Sequence, residues 1–315
     1  MWISILQICE NMSCKQAISL QLLTDTMKNP VYRLIIPILL LLSLHACKEP
    51  LVEVQEDFHS VEDNIKAEVQ CYATFDVVSD LISTEKLYTN EGSTLLPFGS
   101  TLSFIDSSYD DGDGIEVFLD FGELGSQAPH GILCPDGLYR SGRLRVSIEG
   151  NFLAREKTIL VDFPESSGFH TGDGEQMTAF VGSMKIMQKG LGKHNVKVDQ
   201  IEVKDASGNL TWSCDHLIEV THDAGEGQYG DTYEVSGTST GTNRNGVAYS
   251  CSIDANLEKT LEKGCAETFK RGQLSISETE RSKNMRVDYD PYGDGACDNA
   301  ILVDINGKRT ILEID

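Results

Sequence analysis

The amino-acid sequence predicts a mainly β fold, an antiparallel meander sheet with one amphipathic helix on its N-terminal side. Apolar residues recur at three- and four-residue steps between residues 60 and 84, and at every second residue after about residue 95. Asn-Gly and Asp-Gly pairs separate the later segments, and they supply the positive φ angles that tight hairpins require. Since no helical segment lies between these strands, consecutive strands are expected to pair. The pattern leaves three arrangements open: a sandwich, a barrel or an elongated sheet.

The helix is predicted over residues 60–84. Ser60 and Asp63 resemble a capping box at its start. An apolar stripe follows at helical spacing and predicts one face that packs against the sheet. The stripe consists of Ile65, Val69, Tyr72, Phe75, Val78 and Ile82.

The strands are predicted where apolar and polar residues alternate, because successive side chains of a strand point to opposite faces of a sheet. Trp212 shares the apolar side of its segment, so we expect it to face the core. The alternating segments include Leu144/Val146/Ile148, Ile159/Val161/Phe163, Val196/Val198, Ile201/Val203, Tyr233/Val235, Val247/Tyr249 and Leu274/Ile276.

A targeting segment precedes this region. Residues 27–46 begin with a positively charged stretch and continue with an apolar run from Leu34 to Leu44. As a helix this run would extend roughly 16 Å, which is too short for the ~30 Å hydrocarbon core of a bilayer. The sequence Leu44-His45-Ala46-Cys47 resembles a lipobox. That resemblance implies cleavage between Ala46 and Cys47 and a diacylglycerol on the Cys47 thiol.

These features divide the chain into four parts. Residues 1–26 are interpreted as a mis-assigned N-terminal extension, because a signal peptide is expected to begin at a start codon, here Met27. Residues 27–46 form the signal peptide and residues 47–58 a lipidated tether. Residues 59–315 are expected to form a single β-rich domain that includes the helix.

The charge of the chain excludes one class of partner. It has 26 Lys and Arg against 49 Asp and Glu, a formal net charge of −23 at pH 7. A field of this sign repels phosphate backbones, so nucleic acid is not an expected partner. It also argues against membrane binding through a basic patch, which leaves the lipid on Cys47 as the predicted attachment to a membrane.

The cysteines predict at least one disulfide. The residues that follow the cleavage point contain Cys71, Cys134, Cys214, Cys251, Cys265 and Cys297. An even number in an exported chain indicates disulfides, although the sequence does not fix their pairing. Cys265 and Cys297 lie beside Gly-rich turns, and we predict that they pair. Cys214 and Cys251 lie on apolar sides of their segments, which equally fits buried thiols.

Two acidic turns are the candidate metal sites. Carboxylates gathered in a short loop are the ligands that hard cations such as Ca²⁺ prefer. Asp and Gly are also the residues that hairpin turns favour, so solvated turns are the alternative interpretation. No catalytic motif is assigned, and no cofactor other than Ca²⁺ is considered. The candidate ligands are Asp110, Asp111 and Asp113 in one turn and Asp288, Asp290 and Asp294 in the other.

Several blocks of the chain resemble uncharacterised cell-envelope lipoproteins of the Bacteroidota. The blocks are LDFG, CPDGLYRSGRLRVSIEGNF, YEVSGTSTGTNRNGVAYSCSI and VDYDPYGDGACDNAILVDINGKRTILEI, with AEVQCYATFDVVSDL before them. Residues 150–195 depart from the pattern, and Pro291-Tyr292 lengthens the last turn. The resemblance implies a β-rich domain in the cell envelope and assigns no catalytic or ligand residues.

The expected function is that of a lipid-anchored envelope protein, a non-catalytic binding or structural module. A hydrolase whose site is built from distant residues and a calcium-stabilised adhesion module are the alternatives. Lys48 and Glu49, rather than Asp, follow Cys47, which favours the outer membrane and leaves the face of that membrane open. The protein or glycan partner is not indicated.

Overall fold

The computed structural model of the chain describes residues 57–83, 97–107, 111–150, 156–223, 230–262, 264–265 and 268–314. All of them belong to one compact unit, Asp57–Asp315. The predicted extension, the signal peptide and nearly all of the tether lie outside the described residues. The structure therefore does not test those predictions.

One helix and sixteen strands make up the described part of the chain. The helix is α1, His59–Ser83, and a single 3-10 turn lies at Glu165–Ser167. The first eight strands are β1 (Thr101–Asp106), β2 (Ile115–Asp120), β3 (Ile132–Leu133), β4 (Tyr139–Ser141), β5 (Arg143–Ile148), β6 (Thr158–Phe163), β7 (His170–Gly172) and β8 (Met177–Gly190). The others are β9 (Lys193–Asp205), β10 (Gly208–His222), β11 (Thr232–Thr242), β12 (Ala248–Thr260), β13 (Arg271–Glu278), β14 (Lys283–Asp288), β15 (Ala300–Ile305) and β16 (Lys308–Glu313).

Within the described residues the strands form a single antiparallel sheet, in the order β1-β2-β5-β6-β8-β9-β10-β11-β12-β13-β14-β15-β16. The short strands β3, β4 and β7 lie off this path, where β4 pairs with β3 and β7, and β7 pairs with β8. From β8 onward each strand pairs with the next along the chain, as the meander prediction requires. The prediction of a mainly β, antiparallel fold with one N-terminal helix is confirmed.

Helix α1 lies inside the curve of the sheet and is enclosed by it. Hydrogen bonds join it to residues from β4 in one direction round to β13 in the other. The six residues of the predicted apolar stripe are all buried, and polar residues on the other faces of the helix are buried as well. These are Ser60, Asp63, Asn64, Glu68, Gln70, Thr74, Asp76 and Ser79. No helix in the described part of the chain is long and apolar enough to cross a membrane.

The start of α1 also differs from the predicted capping box. The helix begins at His59, and the Asp57 carboxylate accepts the His59 backbone N–H at 3.0 Å. Ser60 instead donates its hydroxyl to Glu278 Oε1 at 2.8 Å, and Asp63 accepts from Arg244 Nε at 2.7 Å. Ser60 therefore binds the helix to β13, and Asp63 binds it to the turn between β11 and β12.

Three glycines mark the places where long strands bend round the helix. Gly182 in β8, Gly237 in β11 and Gly272 in β13 have φ angles of 137°, 132° and 128°. The pairing register shifts beside each of them, as at a β-bulge. A Cβ at Gly237 would lie 2.3 Å from the Asp215 carbonyl oxygen of the neighbouring strand. The bend thus needs a residue without a side chain for two reasons, the backbone angle and the close approach of β10.

We expect Gly237→Ala to destabilise the domain by more than Gly246→Ala. Both residues have positive φ, so both substitutions should cost on the order of 1–3 kcal/mol in backbone strain. Only Gly237 meets neighbouring atoms, since nothing lies within 4 Å of a Cβ at Gly246. Urea denaturation of the two variants measures the difference. Equal losses would show that the contact between β10 and β11 imposes no constraint.

Candidate functional site

The predicted disulfide is present. Cys265 and Cys297 are bonded at an S–S distance of 2.07 Å and join the loop after β12 to the loop before β15. The buried Lys259 ammonium donates to the Cys265 carbonyl at 2.9 Å, so a hydrogen bond fixes the same loop from inside. Cys71, Cys134, Cys214 and Cys251 are buried free thiols, as the alternative interpretation of Cys214 and Cys251 allowed.

The first acidic turn brings three carboxylates together. Oxygens of Asp106, Asp111 and Asp113 all lie within 4.8 Å of one another. The hydrogen bond and the negative charge of Asp111 raise the pKa of Asp113 above its ordinary value. Asp110, a predicted ligand, lies outside the described residues. Asp106 begins the same acidic segment of the sequence, and it ends β1 in the structure.

The second acidic turn uses its carboxylates to hold its own backbone. Asp288 Oδ1 accepts the Asp290 N–H at 3.1 Å, and Asp290 Oδ1 accepts the N–H groups of Asp294 and Gly295 at 2.9 and 3.2 Å. Asp294 Oδ1 accepts the Ala296 N–H at 3.1 Å. These bonds explain the three aspartates as turn residues and occupy one oxygen of each.

The densest set of polar side chains lies in the core, where α1 meets β10 to β12. We call it the core polar cluster and define it by Asn64, Glu68, Tyr72, Trp212 and His216, all of them buried. Trp212 Nε1 donates to Asn64 Oδ1 at 3.0 Å, and Asn64 Nδ2 donates to Glu68 Oε2 at 3.3 Å. The Tyr72 hydroxyl shares a hydrogen bond of 2.5 Å with His216 Nδ1. The core position expected for Trp212 is confirmed.

Glu68 and His216 are the two titratable groups at the centre of this cluster. Glu68 Oε1 lies 3.9 Å from His216 Nε2, and neither atom makes a hydrogen bond. Burial raises the pKa of Glu68 to about 8 and lowers the pKa of His216 to about 4. Both side chains are therefore neutral at pH 7, and the pair is a close contact between uncharged groups rather than a salt bridge.

Further polar contacts hold the rest of α1. The Tyr233 hydroxyl donates to Asp76 Oδ1 at 3.0 Å, and burial raises the pKa of Asp76 to about 7 despite the nearby Lys259 ammonium. Arg140 is fully buried, donates to Asp136 at 2.6 and 3.0 Å, and reaches the Ala73 carbonyl of the helix at 3.3 Å. Perturbed groups in the described core thus serve to bind the helix to the sheet.

One stretch matches a catalytic motif in its amino-acid sequence but not in its conformation. Gly237-Thr238-Ser239-Thr240-Gly241 has the G-x-S-x-G spacing of a hydrolase nucleophile. Such a serine stands on a sharp strand-to-helix turn, whereas Ser239 lies within β11. Its side chain is buried, and its hydroxyl donates to Asn64 Oδ1 at 2.9 Å. Ser239 is therefore part of the contact between the sheet and the helix.

The outer face of the sheet carries a depression of about 360 Å³ over β6, β8 and β9. Leu160 and Met187 give it an apolar part, and Lys185 and Lys197 stand opposite each other across β8 and β9. None of the buried groups Glu68, Asp76 and His216 reaches it. The depression and the core polar cluster lie on opposite faces of the sheet.

We expect the wild type to lose stability at alkaline pH because of Glu68, and Glu68→Gln to be protected from this loss. The pKa of Glu68 is raised from 4.5 to about 8 in the folded state, so its contribution is fully present below pH 4.5 and is lost as pH rises through 8. The variant should melt near the wild type at pH 5 and several degrees above it at pH 9. The exposed Glu219→Gln is the matched control and should leave the profile unchanged. Parallel profiles for wild type and Glu68→Gln would contradict the burial argument.

The two acidic turns should respond oppositely to loss of a carboxylate. In calcium-free buffer Asp113→Asn relieves repulsion within the Asp106–Asp111–Asp113 group and should raise Tm slightly. Asp290→Ala removes the acceptor of two backbone N–H groups and should lower the free energy of unfolding by about 1–2 kcal/mol. Thermal melts in EGTA measure both. A lower Tm for Asp113→Asn would show that the first turn also depends on its carboxylates.

No protein-family model, curated protein or solved structure matches the chain. The resemblance to envelope lipoproteins therefore remains a prediction.

Proposed function

We propose that the protein is a lipid-anchored cell-envelope protein whose folded domain is a non-catalytic binding or structural module. Cys47 carries the lipid in this proposal, and the domain begins only a short tether beyond it. The observation that carries the proposal is the placement of the perturbed titratable groups. Glu68, Asp76 and His216 are buried between α1 and the sheet, and Asp76 and His216 hydrogen-bond across that contact to Tyr233 and Tyr72.

The disulfide supports export. Structural disulfides form and persist in oxidising compartments such as the periplasm and the cell surface, and they are rare in the cytosol. Cys265 and Cys297 join two loops of the described domain, so the bond is part of its fold. This agrees with the lipobox-like residues before Cys47, although it does not distinguish a lipidated protein from a secreted one.

The hydrolase alternative requires a nucleophile or base in an accessible concavity. In the described part of the chain the depression on the outer face is lined by side chains such as Leu160, Lys185 and Lys197. The serine in the G-x-S-x-G match is buried on the inner face and is already hydrogen-bonded. These placements favour a module that binds through its surface.

The calcium-stabilised adhesion module remains a prediction. The Asp106–Asp111–Asp113 group has the oxygen ligands that Ca²⁺ prefers, but Asp111 and Asp113 are exposed at a hairpin turn. Calcium would raise the Tm of the wild type if these carboxylates bound it, and Asp113→Asn would abolish the rise.

We expect Cys47→Ala to lose the mass of the acyl chains and to stop partitioning into the detergent phase. The mature wild type should carry the mass of a diacylglycerol on Cys47, because that thiol is the lipid acceptor in the lipobox interpretation. Cys134→Ala is the matched control and should change neither property, because this cysteine belongs to the folded domain and does not lie in the lipobox-like sequence. Intact-protein mass spectrometry and Triton X-114 partitioning measure both.

If Cys47→Ala kept the acyl mass, the anchoring proposal would be wrong. If the wild type had no acyl mass and left the membrane fraction, the chain would be secreted. If the wild type is acylated, protease added to intact cells reports which face of the outer membrane the domain occupies.

A further inference from the structure

The sheet ends at β16, and this strand has a free edge within the described residues. Ile314 donates its N–H to the Asn299 carbonyl on the β15 side at 2.9 Å. In an antiparallel pair the backbone groups of successive residues alternate in direction. The N–H and C=O groups of Arg309, Ile311 and Glu313 therefore point away from β15. An edge strand with such a row of groups is a template for pairing with another strand.

The side chains of these three residues share the outer face. On the inner face Leu312 and Thr310 pair with the buried Ile301 and Val303 of β15. On the outer face Ile311 is 48% exposed. It is one of the few large apolar residues that are exposed in the described part of the chain. Arg309 is 72% exposed and donates to Asp304 Oδ2 at 3.3 Å, which holds its guanidinium over that face.

The edge of β16 is complementary to itself. A two-fold axis perpendicular to the sheet makes two copies of β16 antiparallel and keeps each residue on its own face. With the axis at Ile311, the two Ile311 side chains lie opposite each other. Arg309 of each copy then lies opposite Glu313 of the other. In this register the residues whose N–H and C=O groups point away from β15 lie opposite one another. The same register therefore forms the backbone hydrogen bonds and places opposite charges together.

The other end of the sheet does not share this property. β1 ends at Asp106, beside Asp111 and Asp113. β1 contains Asp106 and no basic residue, so antiparallel pairing of two β1 strands offers no pair of opposite charges. Of the two ends of the main strand path in the described residues, β16 is the one with both signs of charge and an exposed apolar residue between them.

We propose that two copies of this chain associate through antiparallel pairing of their β16 strands, with Ile311 at the two-fold axis. The sheet then continues from one copy into the other. Because each copy contributes the same edge, the assembly closes at two copies and does not extend into a fibre. The proposal concerns the edge of the sheet alone and does not depend on the lipid anchor or on the absence of catalysis.

Cysteine cross-linking of the full chain in intact cells tests the register. Directly opposite residues of a hydrogen-bonded pair have Cα atoms about 5.5 Å apart, which is within the range that a disulfide spans. Ile311→Cys, oxidised with copper phenanthroline, should give a band of twice the chain mass on a non-reducing gel. Arg309→Cys is the matched control, because it is more exposed but lies roughly 13 Å from its own copy across the axis.

The charges provide an independent test in the Ile311→Cys background. Arg309→Glu places two pairs of like charges across the junction and should reduce the cross-linked band several-fold. Adding Glu313→Arg restores opposite charges and should restore the band. Equal cross-linking of Ile311→Cys and Arg309→Cys, or no band for Ile311→Cys beyond that of the unsubstituted chain, would overturn the proposal. Loss of the band in Arg309→Glu without recovery in the double variant would overturn the register.

Discussion

The burial of a polar helix is the constraint on which the rest of the structure depends. A buried polar group costs stability unless it finds a hydrogen-bond partner, so each polar side chain of α1 requires one from the sheet. Hydrogen bonds join Asn64 to Trp212, Tyr72 to His216, and Asp76 to Tyr233. These contacts fix which strand faces which turn of the helix. Glu68 is neutral because of the same burial, which makes stability depend on pH.

The sheet can enclose the helix because its long strands bend. Gly182, Gly237 and Gly272 lie at register shifts, where a backbone of the next strand comes too close for a side chain. Bulges of this kind increase the local twist and curl a sheet about what it covers. Within the described residues, β1 and β16 end the main path of the sheet and have unpaired edges. β1 carries only the acidic Asp106, whereas β16 carries charges of both signs, and the proposed pairing of two copies uses this difference.

The functional proposal follows from the separation of the two faces. On the inner face, Ser239 and His216 hydrogen-bond to side chains of α1, and Glu68 is buried with a hydrogen bond to Asn64 of its own helix. The outer face offers the depression over β6, β8 and β9 and the edge of β16. A domain of this design is suited to presenting a surface at the end of a tether. The disulfide between Cys265 and Cys297 fixes the loops at one end of that surface.

By itself the sequence determined the class of fold, the helix within one residue at each end and the core position of Trp212, and it favoured Cys265 and Cys297 as a pair. These follow from local periodicity, turn chemistry and the neighbourhood of each cysteine, which adjacent residues specify. Only the tertiary structure decided that α1 is surrounded, and that Ser60 and Asp63 bind Glu278 and Arg244 and do not form a capping box. Each of these depends on residues far apart in the chain. The pattern along a helix records which side chains are apolar, but only the enclosing sheet determines whether the polar ones meet water or a buried partner.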